Sequence, residues 1–452
     1  MQLELSNWGN SPKVKTSVQK VLNVTDMKRN IFQSEHLIVR GTGRSYGDAS
    51  LNSSLVLDST DFTDFLHFNI RTGELICEAG ITIGKILTYI ARTGWFMPVV
   101  PGTQFVSLGG AIAANIHGKN HHRSLCLSHY VNWIDMMVAN GEIIRCSKTE
   151  NPLLFYATCG GQGLTGIIIR ASIQLVRYES IVIRQKTRVC RTLDETIFRL
   201  NFADDAYEFT VGWLDLANKH NKSLIFYGNF ITAYELDNSL KLNLRKFERY
   251  NNMIEHCPVL DVPFYAPNWL INKMSIGAFN HLYYHKNAHR KDRLTTFNRF
   301  FFPLDGITNW NRLYGKKGLI QYQFVVPESE LKTFTKIISL IQKEHLYSTL
   351  AVFKICGYEF PYNGSLTFPK KGYSLALDFK PSTEVYKMLD RFDEMVADAG
   401  GHVYLAKDSR LRKPMFYKMY GQRVDEFLQI KSHYDPKNRF TSLMAQRLGL
   451  MV

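Results

Sequence analysis

Short apolar runs open the readable pattern of the chain. Leu37-Ile-Val-Arg40 and Leu55-Val-Leu-Asp58 have strand length and are bounded by polar and glycine-containing segments. Helical spacing follows: Ile83, Ile86, Leu87 and Ile90 fall on one face, Thr82 stands where an N-cap belongs, and Gly94 where the helix must end. Residues 133–139 and 142–146 predict two strands around Asn140-Gly141, a dipeptide suited to the positive φ of a tight hairpin. One more strand is predicted over 166–176, after the glycine-rich 159–166.

Beyond Tyr178 the glycine loops stop and the periodicity changes. Residues 321–326 read as a strand, and Ser329 as the cap of a helix with Leu331, Phe334, Ile338 and Ile341 on one face. Strands follow at 348–355 and 373–379. A second helix carries Val385, Leu389, Phe392 and Val396, is stopped by Gly400-Gly401, and leads into a last strand at 402–405. The order β-α-β-β-α-β is that of a ferredoxin-like unit, and the fold class is α+β. Residues 250–318 are basic, aromatic and aperiodic, and read as loops that could serve as a lid.

A chain of 452 residues predicts two domains. Its 45% hydrophobic and 21% charged content is that of a globular protein. Aromatics at 13% suit either aromatic-rich cores or a ring-binding cavity. The net charge of +15 calls for an anionic partner. Basic residues are scattered, and no nucleic-acid motif stands out, so a phosphorylated ligand or an anionic bilayer fits better than nucleic acid. The seven cysteines form no CxxC pair, the N-terminus lacks a basic-then-apolar signal, and no run reaches the roughly 18 apolar residues of a membrane span. A cytoplasmic location with peripheral membrane contact is the expectation.

Candidate chemistry sits in the glycine segments. Gly41-Thr-Gly-Arg-Ser-Tyr-Gly-Asp48 follows a strand and can present successive N–H groups to a pyrophosphate. It is neither a Rossmann fingerprint, since nothing helical follows, nor a P-loop, since Lys-Ser/Thr is missing. Pro101-Gly-Thr103, Gly109-Gly110 and 160–166 add small residues that admit a bulky planar ligand. The 101–114 run then feeds into Ile116-His-Gly-Lys-Asn-His-His122, where titratable groups crowd the edge of a pocket. Gly118 and Asn120 spoil a helical metal-ligand face, so no metal is assigned. Gln321 and Gln323 alternate on one strand face, and Lys354 on a strand needs an anion to pair with.

Together these segments resemble the FAD-binding fold of the vanillyl-alcohol oxidase (p-cresol methylhydroxylase) superfamily, and within it the branch that oxidises polyprenyl-phospho-pentoses in cell-wall arabinan synthesis. The carriers are Trp8-Gly9, Gly43-Arg-Ser-Tyr-Gly-Asp48, the 109–113 run, Ile116-His-Gly-Lys-Asn-His-His122, Gly163-Leu-Thr-Gly-Ile167, Gln321-Tyr-Gln-Phe-Val325, Val352-Phe-Lys354, Ala406-Lys-Asp-Ser-Arg410 and Arg447-Leu448. They span nearly the whole chain. The 185–300 stretch matches only loosely.

The resemblance implies a split FAD-binding domain, residues 1–180 and 402–452, around a substrate or cap domain, 181–401. It implies FAD contacts from Gly41, Thr42, Gly43, Arg44, Ser45, Tyr46, Pro101, Gly102, Thr103, Gly109, Gly110, Ala113, Asn115, His117, Gly118, Gly163, Gly166, Ile167 and Lys407. Arg44 stands where many relatives tether FAD through histidine, so the cofactor is expected to be non-covalent. Lys407, His117, Lys119 and Tyr46 are the candidate catalytic groups, with the base left open among them. Gln321, Gln323, Lys354, Tyr404 and Ser374 are expected to line the substrate. Where the family has an asparagine and, two residues on, a cysteine, this chain has Ser374 and Ala376.

The activity so implied is FAD-dependent oxidation of a sugar hydroxyl to a ketone, at C2′ of a lipid-linked phospho-ribose. An NAD(P)H-dependent short-chain reductase would complete the epimerisation. The alternatives are an oxygen-using oxidase of a free sugar or aldonolactone, and a non-enzymatic basic binding protein.

Overall fold

The computed structural model describes residues 2–203, 206–218, 221–241, 258–267, 269–358 and 363–452; Cys257 lies outside them. Three sheets carry the architecture. The first holds Lys13–Lys20, Leu55–Asp58 and Leu37–Arg40 in parallel, edged by the antiparallel strand Gln2–Ser6. The second is antiparallel, in the order Phe65–Asn69, Glu74–Glu78, Ile167–Gln174, Val131–Met137, Ile143–Ser147. Its hairpin turns at Gly141, whose φ of +76° explains the dipeptide. Helix Ile83–Ile90 buries Ile83, Ile86, Leu87 and Ile90, and the Thr82 hydroxyl accepts from the N–H of Lys85, a cap worth about 1 kcal/mol.

The third sheet has eight strands, ordered Asp292–Thr296, Val182–Cys190, Ser223–Phe230, Phe209–Leu214, Leu350–Cys356, Gly372–Phe379, Ile320–Pro327, His402–Val403. Register divides its central strands into two faces. Tyr322, Phe324, Leu375, Leu377 and Phe353 point one way, into the core shared with helices Leu331–Lys343 and Thr383–Asp398. Their neighbours Gln321, Gln323, Lys354, Ser374, Ala376 and Asp378 point the other way, because side chains alternate along a strand.

The chain then returns to the first sheet. The N–H of Leu37 donates to the carbonyl of Arg439 (2.7 Å), that of Thr441 to the carbonyl of Leu37 (2.9 Å), and Asn52 Nδ2 to the carbonyl of Thr441 (2.7 Å).

Three local expectations need correction. Ser329 caps nothing: it lies in the 3-10 turn Glu328–Glu330, and Glu330 precedes the helix without a side-chain cap bond. Gly109 and Gly110 are not in a loop but in the short helix Leu108–Ala113, capped by Ser107. The described part of 250–318 is not all loop either, because Lys273–Ala288 is a helix opened by an Asn272–Ser275 capping box. Its inward Ile276 and Asn280 are matched by outward Met274, Phe279 and Leu282, and apolar residues on both faces hide the period. Residues 250–257 and 268 of that stretch lie outside the described ones.

Candidate active site

The polar face of the eight-stranded sheet builds the site in two halves. In the first, Gln321 Nε2 donates to Asp378 Oδ1 across paired strands (2.5 Å). The Lys407 ammonium lies 3.9 Å from the centroid of the Tyr46 ring, a cation–π contact. Burial pushes Lys407 down to about 7, against the pull of Asp378. Burial also raises Asp378, to about 6, while Gln321 and Lys407 work to lower it. Tyr46 is held well above its ordinary range by burial and by Asp378, so its phenol keeps its proton.

The second half centres on His117, buried with its ring 5.0 Å from that of Tyr404 and 5.3 Å from that of Phe368. Gln323 Nε2 donates to His117 Nε2 (2.9 Å), which leaves the proton on Nδ1, an atom with no partner among the described residues. Burial and the nearby Lys354 keep this imidazole neutral. Tyr404 donates its hydroxyl to the carbonyl of Ala114 (3.1 Å), and so acts as a wall rather than a free donor. Lys119 donates to the carbonyl of Phe300, and its ammonium lies 4.6 Å from that ring; burial, then Lys354, brings it down to about 7. Lys354, paired in register with Ser374, is itself lowered by burial. Its charge acts on His117, His121, Lys119 and Lys407 alike, which puts it at the junction of the two halves.

Behind Lys407 the chain is clamped. Asp408 Oδ1 accepts the N–H groups of Arg410 (2.9 Å) and Leu411 (2.8 Å). Arg447 joins both carboxylates of Asp48 and Asp408, at 2.8 Å each. Arg410 reaches Asp393 and, at 2.7 Å, Asp390. A Cβ at position 47 would stand 1.8 Å from the carbonyl of Asp408, so Gly47 lets the glycine loop touch this turn.

The glycine segments fit FAD. Among the described residues, the N–H groups of Thr42, Gly43, Arg44, Ser45, Gly102 and Thr103 have no intrachain acceptor, as a pyrophosphate cradle requires. A Cβ at Gly102 would meet only open space. The Arg44 guanidinium lies 4.3 Å from the Trp8 ring and 4.8 Å from that of Phe105, with its Nε unpartnered.

Several other expected residues also make scaffold contacts. Asn115 accepts from the N–H of Ser128 (3.1 Å) and donates to Thr367 Oγ1 (2.9 Å). Ile167 is buried in the core beneath the first sheet. Gly118 is tight against Asn120, and Gly163 and Gly166 have positive φ. His121 Nδ1 accepts from the N–H of Gly357 (3.2 Å), and His122 Nε2 meets the carbonyl of Tyr207 (3.2 Å). Both hold the loop in shape. Asp378 and Phe368 went unnamed in the sequence reading; Asp378 lies two and four residues beyond Ala376 and Ser374, on the same face, a period-two signal.

Comparison with known proteins follows the same lines. The FAD binding domain family matches residues 15–147. The chain is 33% identical to decaprenylphosphoryl-beta-D-ribose oxidase of Mycolicibacterium smegmatis, covering 99% of this chain and 97% of that protein. It is 28% identical to an uncharacterized Streptomyces coelicolor protein, over 82% of this chain and all (100%) of that one. Similarity to D-arabinono-1,4-lactone oxidase of Yarrowia lipolytica is partial, 26% identity over 35% of this chain and 31% of the relative.

Proposed function

The chain belongs to the family of the FAD-dependent decaprenylphosphoryl-beta-D-ribose oxidases, and from that premise we propose that it oxidises the C2′ hydroxyl of a polyprenyl-phospho-β-D-ribose to a ketone. FAD, when bound, supplies the hydride acceptor. We read residues 1–180 and 402–452 as its holding domain, with 181–401 as the substrate domain built on a ferredoxin-like unit. The strand order Leu350–Cys356, Gly372–Phe379, Ile320–Pro327, His402–Val403, with two helices on one face, supports that unit. Arg44 cannot form the histidine tether, so the cofactor is held non-covalently by the cradle around Gly41–Ser45 and 101–103.

The observation that carries the chemistry is Lys407, held near neutrality at about 7 over the Tyr46 ring and beside Asp378. In its neutral form it takes the hydroxyl proton. The alternatives are weaker: Tyr46 keeps its proton, the Nε2 lone pair of His117 is occupied by Gln323, and Lys119 is tied to Phe300. Gln321, Lys354 and Ser374 line the sugar. Because the base must be unprotonated, the rate of substrate oxidation rises with pH through about 7 and levels off above it. A lysine acting as a cation would give the opposite limb.

No helix of the described residues is long and apolar enough to cross a membrane. A lipid-linked substrate therefore goes with peripheral contact, which we place at the inner face of the cell membrane. The ketone is the natural substrate of an NAD(P)H-dependent reductase that returns it as the epimer.

The test is anaerobic mixing of FAD-loaded protein with polyprenyl-phospho-β-D-ribose, which should bleach the flavin colour within a turnover. Bleaching by free sugar or aldonolactone alone, with peroxide released in air, would replace this reading with the oxygen-using oxidase.

A further inference from the structure

We infer that the outward surface of residues 258–267 and 269–282 is a docking face for an anionic lipid bilayer. Large apolar side chains are exposed there at unusual density: Val259 (79%), Phe264 (70%), Trp269 (73%), Met274 (84%) and Leu282 (69%). Isolated exposed apolar residues are ordinary on any protein, but a run of them is not. Nor is the segment a loose loop. Strand Leu260–Asp261 pairs with Ile307–Thr308, Asn309 Nδ2 donates to Asp261 Oδ1 (2.9 Å), and Arg312 donates to the carbonyls of Val262 (3.0 Å) and Pro263 (2.9 Å). The apolar groups are therefore presented outward by an ordered strap and by helix Lys273–Ala288.

Charge selects the occupant. Among the described residues of 258–291, Asp261 is the one acid, and it is engaged by Asn309. Lys273 and Lys286 are exposed on the same helix as Met274 and Leu282, and the exposed Lys316 and Lys317 follow the Trp310–Tyr314 turn that packs with Ile271. Exposed aromatic and aliphatic side chains with lysines on the same and neighbouring elements match an interface of acyl chains under anionic headgroups. Trp269 and Tyr265 are the residue types that settle at headgroup level.

The face is continuous with the site. Ile271, inside the exposed run, packs with Trp310 and Leu313 around Tyr46 and Tyr314, and Tyr46 carries the Lys407 ammonium. That cluster links the face to the ring over which Lys407 lies. This deepens the reading above: a lipid-linked sugar could enter the site while its prenyl chain stays in the membrane.

Cosedimentation of the FAD-loaded full chain with vesicles provides the test, using phosphatidylcholine alone and an equal mixture with phosphatidylglycerol. Wild type should bind the anionic vesicles, and release as salt rises. Phe264→Ser/Trp269→Ser/Met274→Ser should weaken that binding by at least about tenfold. Lys316→Glu/Lys317→Glu should weaken it roughly fivefold per charge at low salt, with phosphatidylcholine binding little changed. All variants should retain the wild-type rate of flavin bleaching with a detergent-dispersed substrate. No binding to anionic vesicles by wild type, or full binding by the triple variant, overturns the inference. So does a triple variant that binds vesicles normally but loses a self-association seen by light scattering, which would make the face a contact between copies. Vesicle binding that behaves as stated without any bleaching by the phospho-ribose would uphold docking and overturn the substrate reading.

Discussion

Two clusters of charge flank the turn at residues 406–411, and they are balanced in opposite ways. Behind it, Arg410 and Arg447 face Asp48, Asp393 and Asp408, with side-chain exposures from 0 to 22%, and Asp390 at the rim. Burial alone would lower both arginines, but the carboxylates overcome it and raise them. In front, Lys119, Lys354 and Lys407 converge with Asp378 as the acid that acts on Lys407, and burial lowers all three lysines. The first arrangement is a clamp whose charges satisfy one another. The second gathers positive charge with a single opposing acid, and Lys119 and Lys407, each brought down to about 7, can exchange protons near neutral pH because burial outweighs what favours their cationic form.

Removing a member should therefore do opposite things in the two places. Arg410→Met strands Asp393, which is fully buried, and should cost about 3–5 kcal/mol in urea or thermal unfolding. It should also loosen the turn that follows Lys407, with loss of bound FAD. Lys407→Met removes a charge that burial already penalises. Its melting temperature should hold or rise, while flavin reduction by substrate slows by about 10²–10⁴-fold. Equal destabilisation of the two variants would erase the distinction between clamp and pocket.

Local signals explain how much of this was readable beforehand. Thr82, the Asn140-Gly141 turn and the Gln321/Gln323 alternation each act within a few residues, so pattern alone places them. The glycine loops and the 116–122 cluster stood out in the residue pattern, the roles of Lys407 and His117 came through resemblance, and the structure does bring Lys407 to Tyr46 and His117 to Gln323. What escaped depends on pairings distant in sequence. Asp378 meets Gln321 across 57 positions, and Arg447 meets Asp48 across 399, so no window of sequence holds either contact. Helix Lys273–Ala288 escaped for the opposite reason, since its outward face is as apolar as its inward one.

Asp378 offers the finest cut through the comparison. Its carboxylate raises the Lys407 pKa that burial depresses, so it is a positioning and tuning residue rather than one that touches the sugar. In Asp378→Asn the side-chain carbonyl can still accept from Gln321 Nε2, and the strand pairing is kept. The charge is gone, and Lys407 should lose its proton at still lower pH. The rising limb of the oxidation rate should then move down from about 7 by roughly one pH unit. At neutral pH the rate itself should change by less than about tenfold. A purely structural role would lower the plateau and leave the limb in place. A limb that stays at its wild-type pH would mean that Asp378 does not set the charge of Lys407, and that the front cluster is tuned by burial and Lys354 alone.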